Sequence, residues 1–167
     1  MKLPMKPKHS QDTDPTVRIP KVLERLNQAA ISHKLILAES NEAASIADWI
    51  EANFPISGVQ IDWDKVPGHS CLRWHDEDRI IDSIAALTLH LAADSAVIVT
   101  WSDALRPSIE MRLRDVMITG KELFRGGVDT WILSRENGWC MEVHHEGTLC
   151  LGKCRAACSI PRGSNIV

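Results

Sequence analysis

A chain of 167 residues with 19 basic and 22 acidic side chains, formal charge −3, can bury one core without staples, and it lacks the basic stripe that general nucleic-acid binding needs. No apolar run reaches the roughly 18 residues that cross a bilayer, and the start of the chain lacks the apolar centre of a secretory signal, so a cytoplasmic protein without membrane contact is expected. Five cysteines, an odd number without an export signal, are read as reduced thiols rather than a disulfide framework.

Residues 1–15 hold Pro4, Pro7 and Pro15 with Lys2, Lys6 and Lys8, which predicts a disordered arm ahead of one domain over residues 16–152. Pro20 suits the first position of a helix, and Val22, Leu23, Leu26, Ala29 and Ala30 recur at helical spacing to about residue 32. Leu35, Ile36 and Leu37 form a run of strand length. Ser40 can then cap a helix over residues 41–53 with Ala43, Ala47, Ile50 and Phe54 as its apolar stripe, ended by Pro55. Residues 59–63 alternate apolar and polar, and Pro67-Gly68 marks a turn before residues 71–74, so these two stretches are expected to pair as a hairpin.

Asp76, Glu77 and Asp78 stand where the partial positive charge of the next helix N-terminus favours carboxylates. That helix carries Ile80, Ile81, Ile84, Leu87, Thr88 and Leu91, the longest apolar stripe in the chain, and is expected to end near residue 94 as the central helix. Residues 96–100 read as a central strand. In residues 109–113 strict alternation of Ile109, Met111 and Leu113 with charged neighbours favours a strand over a helix, and residues 115–124 follow as a short helix closed by Gly126-Gly127.

A three-stranded antiparallel meander occupies residues 129–152. Residues 130–134 lead to Asn137-Gly138, a pair that tolerates positive φ in a two-residue turn. Trp139, Met141 and Val143 then face one way, with Cys140, Glu142 and His144 facing the other as in a half-buried strand, and a turn at His145-Glu146-Gly147 leads into residues 148–152. From residue 153 the chain loses periodicity, which predicts a loose tail over 153–167. The expected fold is α+β, a mixed and mainly antiparallel sheet carrying two or three helices.

Zinc prefers thiolate and imidazole, and Cys140, His144, His145, Cys150, Cys154 and Cys158 lie close in sequence, but the spacing does not make knuckles. Inert cysteines and no cofactor are therefore expected. An enzyme would have to be a small metal-dependent or His/Glu-based hydrolase centred on His144, His145, Glu146 and Cys150. Neighbouring strand residues point to opposite faces, so a polar turn with one histidine on a backbone partner is the expected arrangement. No catalytic residue is assigned. Asp62, Trp63, Asp64, Asp76, Glu77 and Asp78 instead put aromatic and acidic residues together, the mixture that captures a basic protein, and they are the expected partner-binding residues.

Asp129-Thr130-Trp131-Ile132-Leu133, then Asn137-Gly138-Trp139-Cys140-Met141-Glu142, then His145-Glu146-Gly147 with Leu149 and Gly152, resemble the carboxy-terminal strands of bacterial immunity proteins of contact-dependent growth inhibition. That resemblance implies a small cytoplasmic protein that binds one cognate toxin, often a nuclease, and blocks it without chemistry. The partner that the resemblance implies is a toxin domain, a basic nuclease being one such target, with no direct contact to nucleic acid.

Overall fold

The computed structural model describes residues 19–125 and 128–154. The arm over residues 1–15, the Gly126-Gly127 closure, and Cys158 with the rest of the tail from residue 155 lie outside them. Among the described residues there are four α-helices, a seven-stranded sheet and a two-stranded hairpin, an α+β fold. The order in the large sheet is β1-β6-β5-β7-β8-β9-β4 and every pairing is antiparallel.

Helix α1 (Pro20–Gln28) starts on its proline and buries Val22 and Leu26. It is shorter than the apolar spacing suggested, because the chain turns at Ala30, whose φ is 52°. Strand β1 (Lys34–Ile36) is an outer strand on β6. Ser40 accepts the Ala43 N–H at 3.1 Å and caps helix α2 (Asn41–Asn53), an interaction typically worth about 1 kcal/mol. Ile46 and Ile50 are its buried residues and Ala47 is exposed, so the stripe is turned by one position from the expected one.

The expected hairpin between residues 59–63 and 71–74 does not form. Strands β2 (Ile56–Ser57) and β3 (Gln60–Ile61) pair with each other around Gly58, whose φ is 65°. A single 3-10 turn, Trp63–Lys65, follows. Strand β4 (Ser70–Arg73) instead closes the far edge of the large sheet by pairing with the last strand. Alternation gave the right strand type but could not choose between a local and a distant partner.

Helix α3 (Ile80–Thr88) buries Ile80, Ile84 and Thr88 and ends short of residue 94, in a turn closed by Leu91 N–H on Thr88 O. Strands β5 (Ala96–Trp101) and β6 (Ser108–Arg112) confirm the strand reading of residues 109–112, whereas Leu113 opens helix α4 (Leu113–Thr119), followed by a 3-10 turn, Gly120–Leu123. The meander is present as β7 (Thr130–Ser134), β8 (Trp139–His144) and β9 (Thr148–Lys153). Ser134 pairs with Trp139, so the loop between them holds four residues rather than two, with Gly138 at φ 63°. Strand β9 runs through Lys153, and the Cys154 N–H reaches Gly138 O at 2.8 Å, past the expected start of the tail.

Both faces of the sheet are covered. One carries Val97, Val99, Ile109, Ile132, Trp139, Met141 and Leu149 under α1, α3 and α4; the other carries Ile98, Leu133, Cys140 and Cys154 under α2 and the residues from Phe54 to Val66. Strand β8 is therefore buried on both sides rather than half-buried. This places its polar residues, Glu142 and His144, inside the molecule.

Candidate functional site

On the α2 side of the sheet one cross-strand row runs Trp131, Glu142, Cys150, Cys71 over β7, β8, β9 and β4. Glu142 is 3% exposed. Its carboxylate accepts Trp63 Nε1–H at 2.6 Å, Trp131 Nε1–H at 2.8 Å and the Ile61 backbone N–H at 3.3 Å. Burial raises its pKa above the usual carboxylate range, an effect opposed by these three donors and reinforced by the charge of Asp129. The carboxylate thus ties the β2–β3 hairpin and the Trp63 turn to the sheet.

The row ends in a disulfide. Cys71 and Cys150 are direct cross-strand partners with Cα atoms 4.1 Å apart and are bonded. This corrects the reading of every cysteine as a reduced thiol: an odd count leaves room for one bond beside free Cys140 and Cys154, both buried. It also removes Cys150 from any hydrolytic centre, since a disulfide sulfur is not a free nucleophile.

The next residues along the same face converge on Asp129. His145 Nδ1 stands 2.7 Å from Asp129 Oδ1, the His145 backbone N–H donates to the same oxygen at 3.0 Å, and His144 Nε2 is 3.6 Å from it. His144 Nδ1 stands 3.2 Å from the Glu146 backbone N–H, and its Nε2 lies against the Gln60 side-chain amide nitrogen. The ring centroids of the two histidines are 4.5 Å apart. The turn relaxes the opposite-face rule, and both imidazoles reach one carboxylate, where one on a backbone partner was expected. The hydrogen bond to Asp129 raises the pKa of His145, partly opposed by desolvation. Glu146 is largely exposed.

The expected partner-binding residues do not form one patch on one face. Asp62, Trp63 and Asp64 stand over the α2 side, next to buried Val66, whereas Asp76, Glu77 and Asp78 precede buried Ile80 on the other side; edge strand β4, exposed at all four residues, lies between them. Asp62 is paired with Lys65 at 2.7 Å, Asp78 with Lys121, and Asp76 caps the Asp78 N–H. Trp63 is half-buried, with its indole N–H held by Glu142.

A Cβ placed on Gly152 would sit 2.8 Å from Val66 Cγ1 and 2.9 Å from Trp63 Cζ3. Gly152→Ala is therefore expected to lift the Trp63 turn off β9 and to destabilise the fold by about 1–3 kcal/mol, as overpacking does. Thermal unfolding checks the cost; an unchanged Trp63 fluorescence together with unchanged stability would show that the turn is not seated on Gly152.

A groove of about 570 Å³ opens on the α2 side, lined by Ser40, Ile46, Val59, Ser102, Arg106 and Trp131 among others. Exposed Ile56 and Val59 line it, and Leu37 and Leu105 adjoin residues that do.

Sequence reasoning missed Glu142 and Asp129 as organising groups. The available signal was a carboxylate in phase with Cys140 and His144 on a strand that carries apolar residues on its other face. No helix among the described residues is long and apolar enough to cross a membrane. A search of the curated proteins returned no match. The family model described as "CdiI immunity protein EcoliA0-like" matches residues 24–152.

Proposed function

The chain belongs to the CdiI immunity protein family, and from that premise we propose that it neutralises one cognate toxin by covering it, acting in the cytoplasm of the cell that makes it and performing no chemistry on its partner. The family match carries this reading. A basic nuclease domain is the target that the acidic surface suits best, because a nuclease presents positive charge to its polyanionic substrate and an inhibitor gains association rate by presenting carboxylates to it. Neither nucleic acid nor membrane is a partner in this scheme.

Asp62, Trp63, Asp64, Asp76, Glu77 and Asp78 form the proposed contact, wrapped around the β4 edge. Within that set Asp64, Asp76 and Glu77 have no lysine or arginine partner among the described residues, so they present the least compensated charge. Asp76→Ala with Glu77→Ala is expected to slow association on the order of tenfold at low salt and to flatten its salt dependence, with dissociation little changed. Trp63→Phe tests the aromatic contact without emptying the site beneath it. Association kinetics with the purified toxin decide the matter. Unchanged rates in both variants would move the contact to the groove beside residues 101–106.

Stoichiometry separates binding from catalysis. Inhibition should be complete at one molecule per toxin; complete inactivation by a small fraction of an equivalent would overturn the non-enzymatic reading.

A further inference from the structure

The Asp129, His144 and His145 cluster has the donor chemistry of a metal site rather than of a simple turn. Its three candidate ligand atoms, one carboxylate oxygen and two imidazole nitrogens, all lie within 4.8 Å of one another. We propose that Asp129, His144 and His145 bind one first-row divalent cation, with zinc the best-matched ion.

The distances support a single ion at their centre. Two ligands about 2.0–2.1 Å from a common ion at the tetrahedral angle are roughly 3.3–3.4 Å apart. Asp129 Oδ1 and His144 Nε2 are 3.6 Å apart, too long for a good hydrogen bond and close to that ligand spacing. Asp129 Oδ1 and His145 Nδ1, at 2.7 Å, share a proton and must separate by roughly 0.6 Å when the ion replaces it. The imidazole content favours zinc, cobalt or nickel over magnesium or calcium, which take oxygen ligands.

The frame is held in advance of any ion. The Asp129 carbonyl accepts Ser102 N–H at 3.0 Å and its own N–H reaches Ser102 Oγ at 3.2 Å. Across the turn, Trp74 N–H donates to Gly147 O at 2.9 Å. Asp129 is only 4% exposed at its side chain while His145 is 44% exposed, so the ion has a buried anchor and an open approach.

The protons set a definite condition. Binding releases the His145 Nδ1 proton to solvent, requires the Gln60 amide to leave His144 Nε2, and holds the His144 proton on Nδ1. In that tautomer Nδ1 no longer accepts the Glu146 N–H and can donate to the Glu146 carboxylate once its exposed side chain swings Oε2 in from 4.0 Å. Glu146 is thereby a positioning residue for His144, the carboxylate behind a ligating imidazole. Three protein ligands leave at least one coordination position for water.

The test uses the full chain, stripped with a chelator and titrated with zinc chloride alone by calorimetry, with cobalt(II) absorption as a second readout. One equivalent should bind with a micromolar or tighter Kd. His145→Gln and Asp129→Asn should each weaken binding at least tenfold, and Glu146→Gln on the order of tenfold. The double variant Cys154→Ser, Cys158→Ser should bind as the parent does. His145→Gln alters an exposed side chain and keeps the test meaningful if Asp129→Asn fails to fold. Equal binding by the parent and His145→Gln, loss of binding in the cysteine double variant, or no binding at all would overturn the site and leave a hydrogen-bonded brace.

Discussion

Cys71→Ser should lower the stability of the oxidised protein by about 2–4 kcal/mol, with the loss disappearing when a thiol reductant is added to both proteins. The bond joins residues 79 apart in sequence, and closing so long a loop removes many conformations from the unfolded chain. It also staples β4, whose only strand partner among the described residues is β9, to the edge of the sheet. Cys71 is exposed, so reductant reaches the bond, while Cys140 and Cys154 are buried and poorly placed to exchange with it. Denaturant titration of both proteins, with and without reductant, checks this. A difference that survives reduction would mean that Cys71 contributes through packing, not through the bond. A reducing cytoplasm keeps such pairs as thiols, so the stability relevant to the proposed setting is that of the reduced form.

The failed pairing of residues 59–63 with 71–74 and the unforeseen disulfide have one origin. Periodicity reports which residues share a face; it does not report which distant strand lies alongside. The meander was legible because its turns are short and each strand pairs with the next, so Gly138 and Gly147 constrain it locally. Strand β4 pairs with β9 across nearly half of the chain, and nothing in residues 70–73 names that partner. The same blindness hid the polar site. Gln60 meets His144 only after the β2–β3 hairpin has folded onto the far face, whereas Asp129, next to the Thr130–Val143 pair, is brought there by the meander and was missed for want of a motif. Glu142 looked like the solvent side of a half-buried strand because a cover made of residues 41–66 cannot be inferred from residues 139–144.

That cover makes Glu142 the position where a small change should cost most. Glu142→Ala removes the acceptor of two indole N–H groups and of the Ile61 N–H. A buried donor left without a partner costs roughly 1–3 kcal/mol, and since Trp63 and Trp131 are half-buried and can recruit water, a total of about 3–5 kcal/mol is expected. Glu142→Gln keeps one acceptor but turns an amide N–H toward an indole N–H, for an expected cost of about 1–2 kcal/mol at neutral pH. The pH dependence has a definite sign. The folded-state pKa of Glu142 is raised above the ordinary value of 4.5, so its contribution is fully present below pH 4.5 and declines as pH rises from there through the folded pKa. Other carboxylates titrate in both proteins and largely cancel in the difference. The stability gap between the parent and Glu142→Gln should therefore be wider at pH 4 than at pH 7, measured by chemical denaturation at both. A gap that instead widens with pH would mean that the three donors outweigh burial and hold Glu142 as a stabilised anion. In either case the loss of Trp63 from its seat should accompany loss of stability in Glu142→Ala, because the carboxylate is what fastens that turn to the sheet.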